Sequence, residues 1–199
     1  MHPNPSYHAH DRAMMEALID QVGFGMIFLA TPGGPRVAHT PLLSTGDGAI
    51  QFHLANANAL TAHLVGAAPL VVVNGPDAYV SPRWYDDRAT VPTWDYVALE
   101  IEGRVRRMDR DGLEGLLHTL IEKYETAIPG TSFTASETPG EVWDKLIGGI
   151  TGFEMEVRDW RATVKLSQRK SAPERARIAE GMERAGHPAM ARLYRETAR

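Results

Sequence analysis

Cysteine is absent from this 199-residue chain, which excludes disulfide staples, thiolate nucleophiles and cysteine-ligated metals. No apolar run approaches the roughly 20 residues that span a bilayer, so no transmembrane helix is expected. The opening Met1-His2-Pro3-Asn4-Pro5 lacks the basic-then-apolar order of a secretory leader. These absences lead to the expectation of a cytoplasmic protein without a membrane partner. Metal signatures are missing as well: the eight histidines are scattered, with no HExxH and no His pair plus carboxylate on one helix. Nor is there a GxSxG elbow, a phosphate loop ending in GK[ST], or a GxGxxG after a strand. No catalytic residue can be named from motifs.

What remains is an ordinary globular composition, 43% apolar and 23% charged, long enough to bury a real core. The net charge of −4 hides an asymmetry. Residues 1–157 carry 10 Lys and Arg against 20 Asp and Glu, while residues 158–199 carry 11 against 5. A basic tail of this kind suits nucleic acid, an anionic cofactor, the acidic part of its own fold, or simply water.

Asp11 is placed to cap a helix whose apolar stripe is Met14, Met15, Leu18, Ile19 and Val22. Three strands should follow, over 26–30, 36–44 and 49–54, joined by turns at Pro32-Gly33-Gly34 and Gly46-Asp47-Gly48, as an antiparallel meander. Residues 58–66 read as a short helix and 69–74 as a fourth strand. Gly75-Pro76-Asp77 then reads as a turn into a short strand at 78–81. A long strand over 91–108, bent near Gly103, precedes the clearest helix, 109–126. Thr138 and Pro139 open another helix running to about Gly148. Residues 151–157 and 161–167 read as a strand and its partner, and the chain from Ala172 is helical, broken at Gly186-His187-Pro188. Short strands with inserted helices point to an α+β barrel, closed or partly closed.

Three stretches carry residues suited to chemistry. In His53-Leu54-Ala55-Asn56-Ala57-Asn58, amides and free backbone N–H groups at a helix start can hold a phosphate, although Asn is also a routine N-cap. The Pro-stiffened stretch 75–96 holds Tyr79, Trp84, Tyr85, Trp94 and Tyr96, rings suited to a flat ligand, to a subunit interface, or to packing a loop on the core. In Lys165-Leu166-Ser167-Gln168-Arg169-Lys170, alternation puts Lys165, Ser167 and Arg169 on one face, where charge and hydroxyl suit a phosphate, a flavin carbonyl edge or solvent. His39 and His53, on adjacent strands, read as packed or ligand-lining histidines.

The blocks GPDAYVSPRWY at 75–85, VPTWDY at 91–96 and ITGFEMEV…VKLSQRK within 150–170 resemble those of the PaiB family, FMN-binding negative transcriptional regulators. AHTPLL at 38–43 and HLANAN at 53–58 are similar in kind, and the blocks keep family order. The chain departs from the family where WNY becomes Trp94-Asp95-Tyr96, where KLSQNR becomes KLSQRK, and where the ANPxW continuation becomes Asn58-Ala59-Leu60-Thr61. A carboxylate beside a flavin phosphate is unfavourable, so Asp95 is expected to face elsewhere or to weaken the ligand.

The resemblance implies an FMN-binding split β-barrel over residues 1–170, like that of pyridoxamine-phosphate oxidases, with peripheral helices and a basic helical C-terminus over 171–199. It implies a homodimer with FMN where the subunits meet. The cofactor residues expected on this basis are His39, Asn56, Asn58, Trp84, Tyr85, Pro92, Thr93, Trp94, Lys165, Ser167 and Gln168. Lys165 is expected to pair with the phosphate or the flavin's electron-rich edge, with Ser167 and Thr93 as donors. The leading function is an FMN-binding regulator; the alternatives are a flavin-dependent oxidoreductase of a small molecule and a non-catalytic flavin sensor. Nucleic acid is a candidate partner on charge alone, since no helix-turn-helix supports it.

Overall fold

The computed structural model describes residues 1–197, so Ala198 and Arg199 of the expected basic segment lie outside the described residues. Strand β1 (His8–Ala9) precedes helix α1 (Arg12–Val22). Strands β2 (Phe24–Thr31), β3 (Gly34–Pro41), β4 (Leu43–Ser44) and β5 (Ala49–Ala55) follow, then β6 (Leu70–Val80) and β7 (Thr93–Arg107). Helices α2 (Arg110–Glu125) and α3 (Gly140–Ile147), strand β8 (Ile150–Lys165), and helices α4 (Ala172–Arg184) and α5 (Pro188–Glu196) complete the chain. Hydrogen bonding orders the strands β3-β2-β6-β7-β8-β5-β4, with β1 on β8. Among the described residues no helix is long and apolar enough to cross a membrane.

The chain forms two compact units, and β6, β7 and β8 each pass from one into the other. The unit of residues 13–73 and 101–160 contains β2, β3, β4 and β5. There β2 pairs antiparallel with β3, opposing Phe28 to Val37, and β5 with β8, opposing Phe52 to Phe153. Those two phenylalanine rings stack with centroids 5.5 Å apart in a core that includes Ile27, Ile50 and Met155. Helix α2, capped by Asp109 accepting from Gly112 N–H, buries Leu113, Leu116 and Leu120. β7 runs unbroken through Gly103, where a Cβ would stand 2.1 Å from the Glu156 carbonyl oxygen, so only glycine permits that approach.

The unit of residues 1–12, 74–100 and 161–197 is built on the strand ends and the last two helices. Its core gathers Ala78, Val80, Tyr85, Leu166, Ile178, Met182, Met190 and Tyr194. Ser171 caps α4 by accepting from Glu174 N–H, and Pro occupies the first turn of both helices, where its missing donor costs nothing.

Four expectations are corrected. Residues 26–30, 36–44 and 49–54 are not one antiparallel meander: the second strand divides into β3, which pairs with β2, and β4, which pairs with β5, at opposite ends of the strand order. Residues 58–66 form a single turn of 3-10 helix at Thr61–His63, not a helix. Gly75-Pro76-Asp77 is not a turn: β6 runs through it unbroken. β6 pairs with β2 over Leu70–Val72, so Pro76 lies beyond that ladder. Residues 151–157 and 161–165 belong to one continuous strand, not two partners: Arg158-Asp159-Trp160 holds neither Gly nor Pro to break it, and the strand pairs with β5 near one end and with β1 near the other.

Candidate functional site

Strand alternation turns Asp95, Val97 and Leu99 of β7 inward, and Asp95 is 0% exposed. A buried carboxylate needs donors and a countercharge. Asp95 Oδ2 accepts from the Ser167 hydroxyl at 2.7 Å and from the Tyr194 hydroxyl. Its Oδ1 makes no hydrogen bond but lies 3.3 Å from Lys165 Nζ, an ion pair. Lys165 Nζ in turn donates to Thr93 Oγ1 at 2.5 Å and to the Trp94 carbonyl, and lies 6.0 Å from the Tyr7 ring centroid. Ser167 takes a left-handed backbone, φ 50°, at the turn that follows β8. Burial, then the Asp95 charge, pushes the Tyr194 hydroxyl well above its ordinary pKa, so it stays a donor.

Beside this cluster a cleft of about 230 Å³ is lined by Asn74, Gly75, Asp77, Trp94, Tyr96, Val97 and Ala98. Trp94 is 53% exposed and Tyr79 45%, their rings edge to face with centroids 6.2 Å apart. Trp94 Nε1 donates to Asp77 Oδ1 at 2.8 Å, which fixes the indole.

Of the residues expected to hold cofactor, Thr93, Trp94, Lys165 and Ser167 thus come together although β7 and β8 are far apart in sequence. Pro92 is exposed at the start of β7. Gln168 makes local bonds, accepting from Leu166 N–H and donating to the Val164 carbonyl. Trp84 and Tyr85 are covered from within their own chain. Trp84 packs on Gly181 of α4, where a Cβ would be 2.3 Å from the indole, and Tyr85 is buried with Lys170 Nζ 3.8 Å from its ring centroid. Glu174 accepts from Asp86 N–H, and Arg177 pairs with Asp86, which pins the loop to α4.

His39, Asn56 and Asn58 belong to the other unit. His39 is exposed and stacks on Phe24. Asn56 donates to the Gly148 carbonyl and accepts from the Thr151 hydroxyl, tying the end of β5 to the start of β8. Asn58 caps its own turn by accepting from Leu60 N–H. Sequence reasoning missed Tyr194 and Asp77. Tyr194 reads as one more apolar position of α5 beside Met190 and Ala191, and only the opposing Asp95 gives its hydroxyl meaning. The basic tail is largely paired: Arg161 with Glu100, Arg184 with Glu180, Arg192 with Glu196 and Arg195 with Glu183.

Solved structures share this fold at low identity. The FAD and heme binding protein from Mycobacterium smegmatis matches with a TM-score of 0.60 at 16% identity, covering 80% of this chain and 73% of that one. Flavocytochrome Anf3 from Azotobacter vinelandii also gives 0.60 at 16%, covering 83% and 72%. The architecture is the expected split barrel, an α+β fold on an antiparallel sheet. Residues 1–159 match the family described as "Putative FMN-binding domain", and the chain belongs to that family. "Protease synthase and sporulation protein PAI 2" of Bacillus subtilis (strain 168) is 30% identical over 189 residues, 85% of this chain and 83% of the relative. The PaiB resemblance is borne out, and FMN is the cofactor this membership assigns.

The residues present fit one part of FMN better than the other. Exposed Trp94 and Tyr79 suit a flat ring, and Thr93 keeps a hydroxyl proton to donate, whereas that of Ser167 already goes to Asp95. The phosphate is served less well, because Lys165 already balances Asp95.

Proposed function

We propose that the chain is a homodimeric, FMN-binding negative transcriptional regulator of the PaiB kind. The observation that carries the flavin site is the meeting of Thr93 and Lys165, from the VPTW and KLSQ motifs, beside an open aromatic cleft. Bound FMN supplies reversible one- or two-electron chemistry, while the protein binds and orients it. The regulatory role rests on the 30% identity to the sporulation protein of Bacillus subtilis.

A second copy is supported by two features. The cleft, at about 230 Å³, is smaller than the ~300–1,000 Å³ of enclosed ligand sites, so further walls are needed. On the β2–β3 ladder, Phe24, Phe28 and Val37 share one face and are 51%, 38% and 44% exposed. An apolar sheet face of this kind marks an interaction surface.

The test is the absorption spectrum of purified protein before and after adding FMN and then NADH, with sedimentation alongside. A flavin band that stays with a dimer supports the proposal. A stable monomer at micromolar concentration, or no retained flavin, overturns it. Bleaching by NADH with turnover would make the protein a flavin-dependent oxidoreductase instead.

A further inference from the structure

Lys165 is the cation beside the aromatic cleft, and its charge is already committed. An ammonium has three N–H donors. Two of them go to Thr93 Oγ1 and the Trp94 carbonyl, so at most one is left for a ligand. The side chain is 12% exposed and lies 3.3 Å from Oδ1 of Asp95, which is wholly buried. Moving Lys165 onto a phosphate would strand that carboxylate without its countercharge, which is strongly unfavourable in a dry interior. Neutral donors alone would remain to it, the hydroxyls of Ser167 and Tyr194.

The charge around the cleft points the same way. Asp77 lines it, held by Trp94 Nε1, and none of the cleft's lining residues carries a positive charge. A phosphate monoester carrying about −1.5 to −2 charges is repelled there, whereas an uncharged ring edge with carbonyl acceptors is not.

We propose that Asp95 is a specificity-determining residue of the flavin site. By neutralising Lys165, it makes the Thr93–Lys165–Ser167 corner recognise the uncharged part of a flavin and withholds from it any preference for the phosphate. Tyr194 and Ser167 hold Asp95 in place, which gives α5 an indirect part in ligand choice. The inference deepens the proposed flavin reading and rests on it.

The experiment measures dissociation constants for FMN and for riboflavin, by flavin fluorescence, with the wild type, Asp95→Asn and the double variant Asp95→Asn/Lys165→Met. Asparagine keeps the shape and an acceptor for Tyr194 while removing the charge. In the double variant both charges go together and no carboxylate is stranded, so the ratio of the two constants is expected to stay within about twofold of the wild type. Asp95→Asn alone is expected to raise the preference for FMN over riboflavin about tenfold or more. A selective loss of FMN binding in the double variant, or an unchanged ratio in a folded Asp95→Asn, overturns the proposal. Should Asp95→Asn fail to fold by circular dichroism, the ratio in the double variant decides alone. If the wild type binds neither flavin, the proposed function itself falls, a result distinct from any change of ratio.

Discussion

Replacing Tyr194 by phenylalanine removes one oxygen from the structure and little else. The ring is 1% exposed among Ile178, Met182 and Met190, with the Arg175 guanidinium 5.5 Å from its centroid, and phenylalanine preserves all of that packing. What disappears is a donor to the buried Asp95 carboxylate, which then keeps the Ser167 hydroxyl and the nearby Lys165. A hydrogen bond to a charged group contributes about 1.5–3 kcal/mol. In a chain of this size 1 kcal/mol moves the melting temperature by about 2–4 °C, so a drop of about 3–12 °C is expected. Urea unfolding gives the free energy directly, provided the slope is unchanged between the two proteins. Tyr124→Phe serves as the comparison: its hydroxyl donates to the neutral Gly23 carbonyl at 3.2 Å on a ring 41% exposed, and its loss should cost under about 1 kcal/mol. Should Tyr194→Phe cost less than about 0.5 kcal/mol, Asp95 is satisfied without α5, and the reasoning fails.

Gly181→Ala should destabilise by about 1–3 kcal/mol, because its Cβ would press on the Trp84 indole and outweigh the ~1 kcal/mol gained in helix propensity; a more stable variant in urea would show that the indole is not seated there. Burial lowers the His53 pKa from 6.5, so below about pH 6.5 the unfolded chain takes up that proton first and stability falls. His53→Gln should lose less stability than wild type between pH 7.5 and 5.5, and equal losses would remove His53 from the account. Val37→Glu, on the apolar face of the β2–β3 ladder, should shift sedimentation toward monomer, and an unaltered dimer would move the interface elsewhere. Because most arginines of the tail already face acids, nucleic-acid affinity should be weak and fall steeply with salt; submicromolar binding at physiological salt in a gel-shift titration would refute this.

Periodicity made much of the fold legible. The stripe of α1, the Asp109 cap of α2 and the Gly-His-Pro break between α4 and α5 are all local signals, and local signals survive into the structure. Strand continuity was less readable, because Pro76 announces a turn whether or not its donor is needed, and that depends on the strands that flank β6. The same limit applies to the site. Motifs named Thr93, Trp94, Lys165 and Ser167, but whether Lys165 is free for a ligand depends on Asp95 facing inward and on Tyr194 from a distant helix. Such a partnership leaves no mark on either stretch alone. Trp84 and Tyr85 are the reverse case, since their size suggested a binding surface and α4 covers them.

The passage of β6, β7 and β8 through both compact units bears on how the chain is made. The unit of residues 13–73 and 101–160 has all of its parts once Trp160 has been synthesised. The other draws on residues 1–12, 74–100 and 161–197, so its first strand must wait, unpaired, until β8 reaches Thr163, and Asp95 waits longer still, until Tyr194 emerges. A ribosome paused between those two points would hold a chain with one finished half and a carboxylate still in water. Interruption there exposes the Trp84 loop and the inner face of β7 together, a natural target for chaperones or proteases.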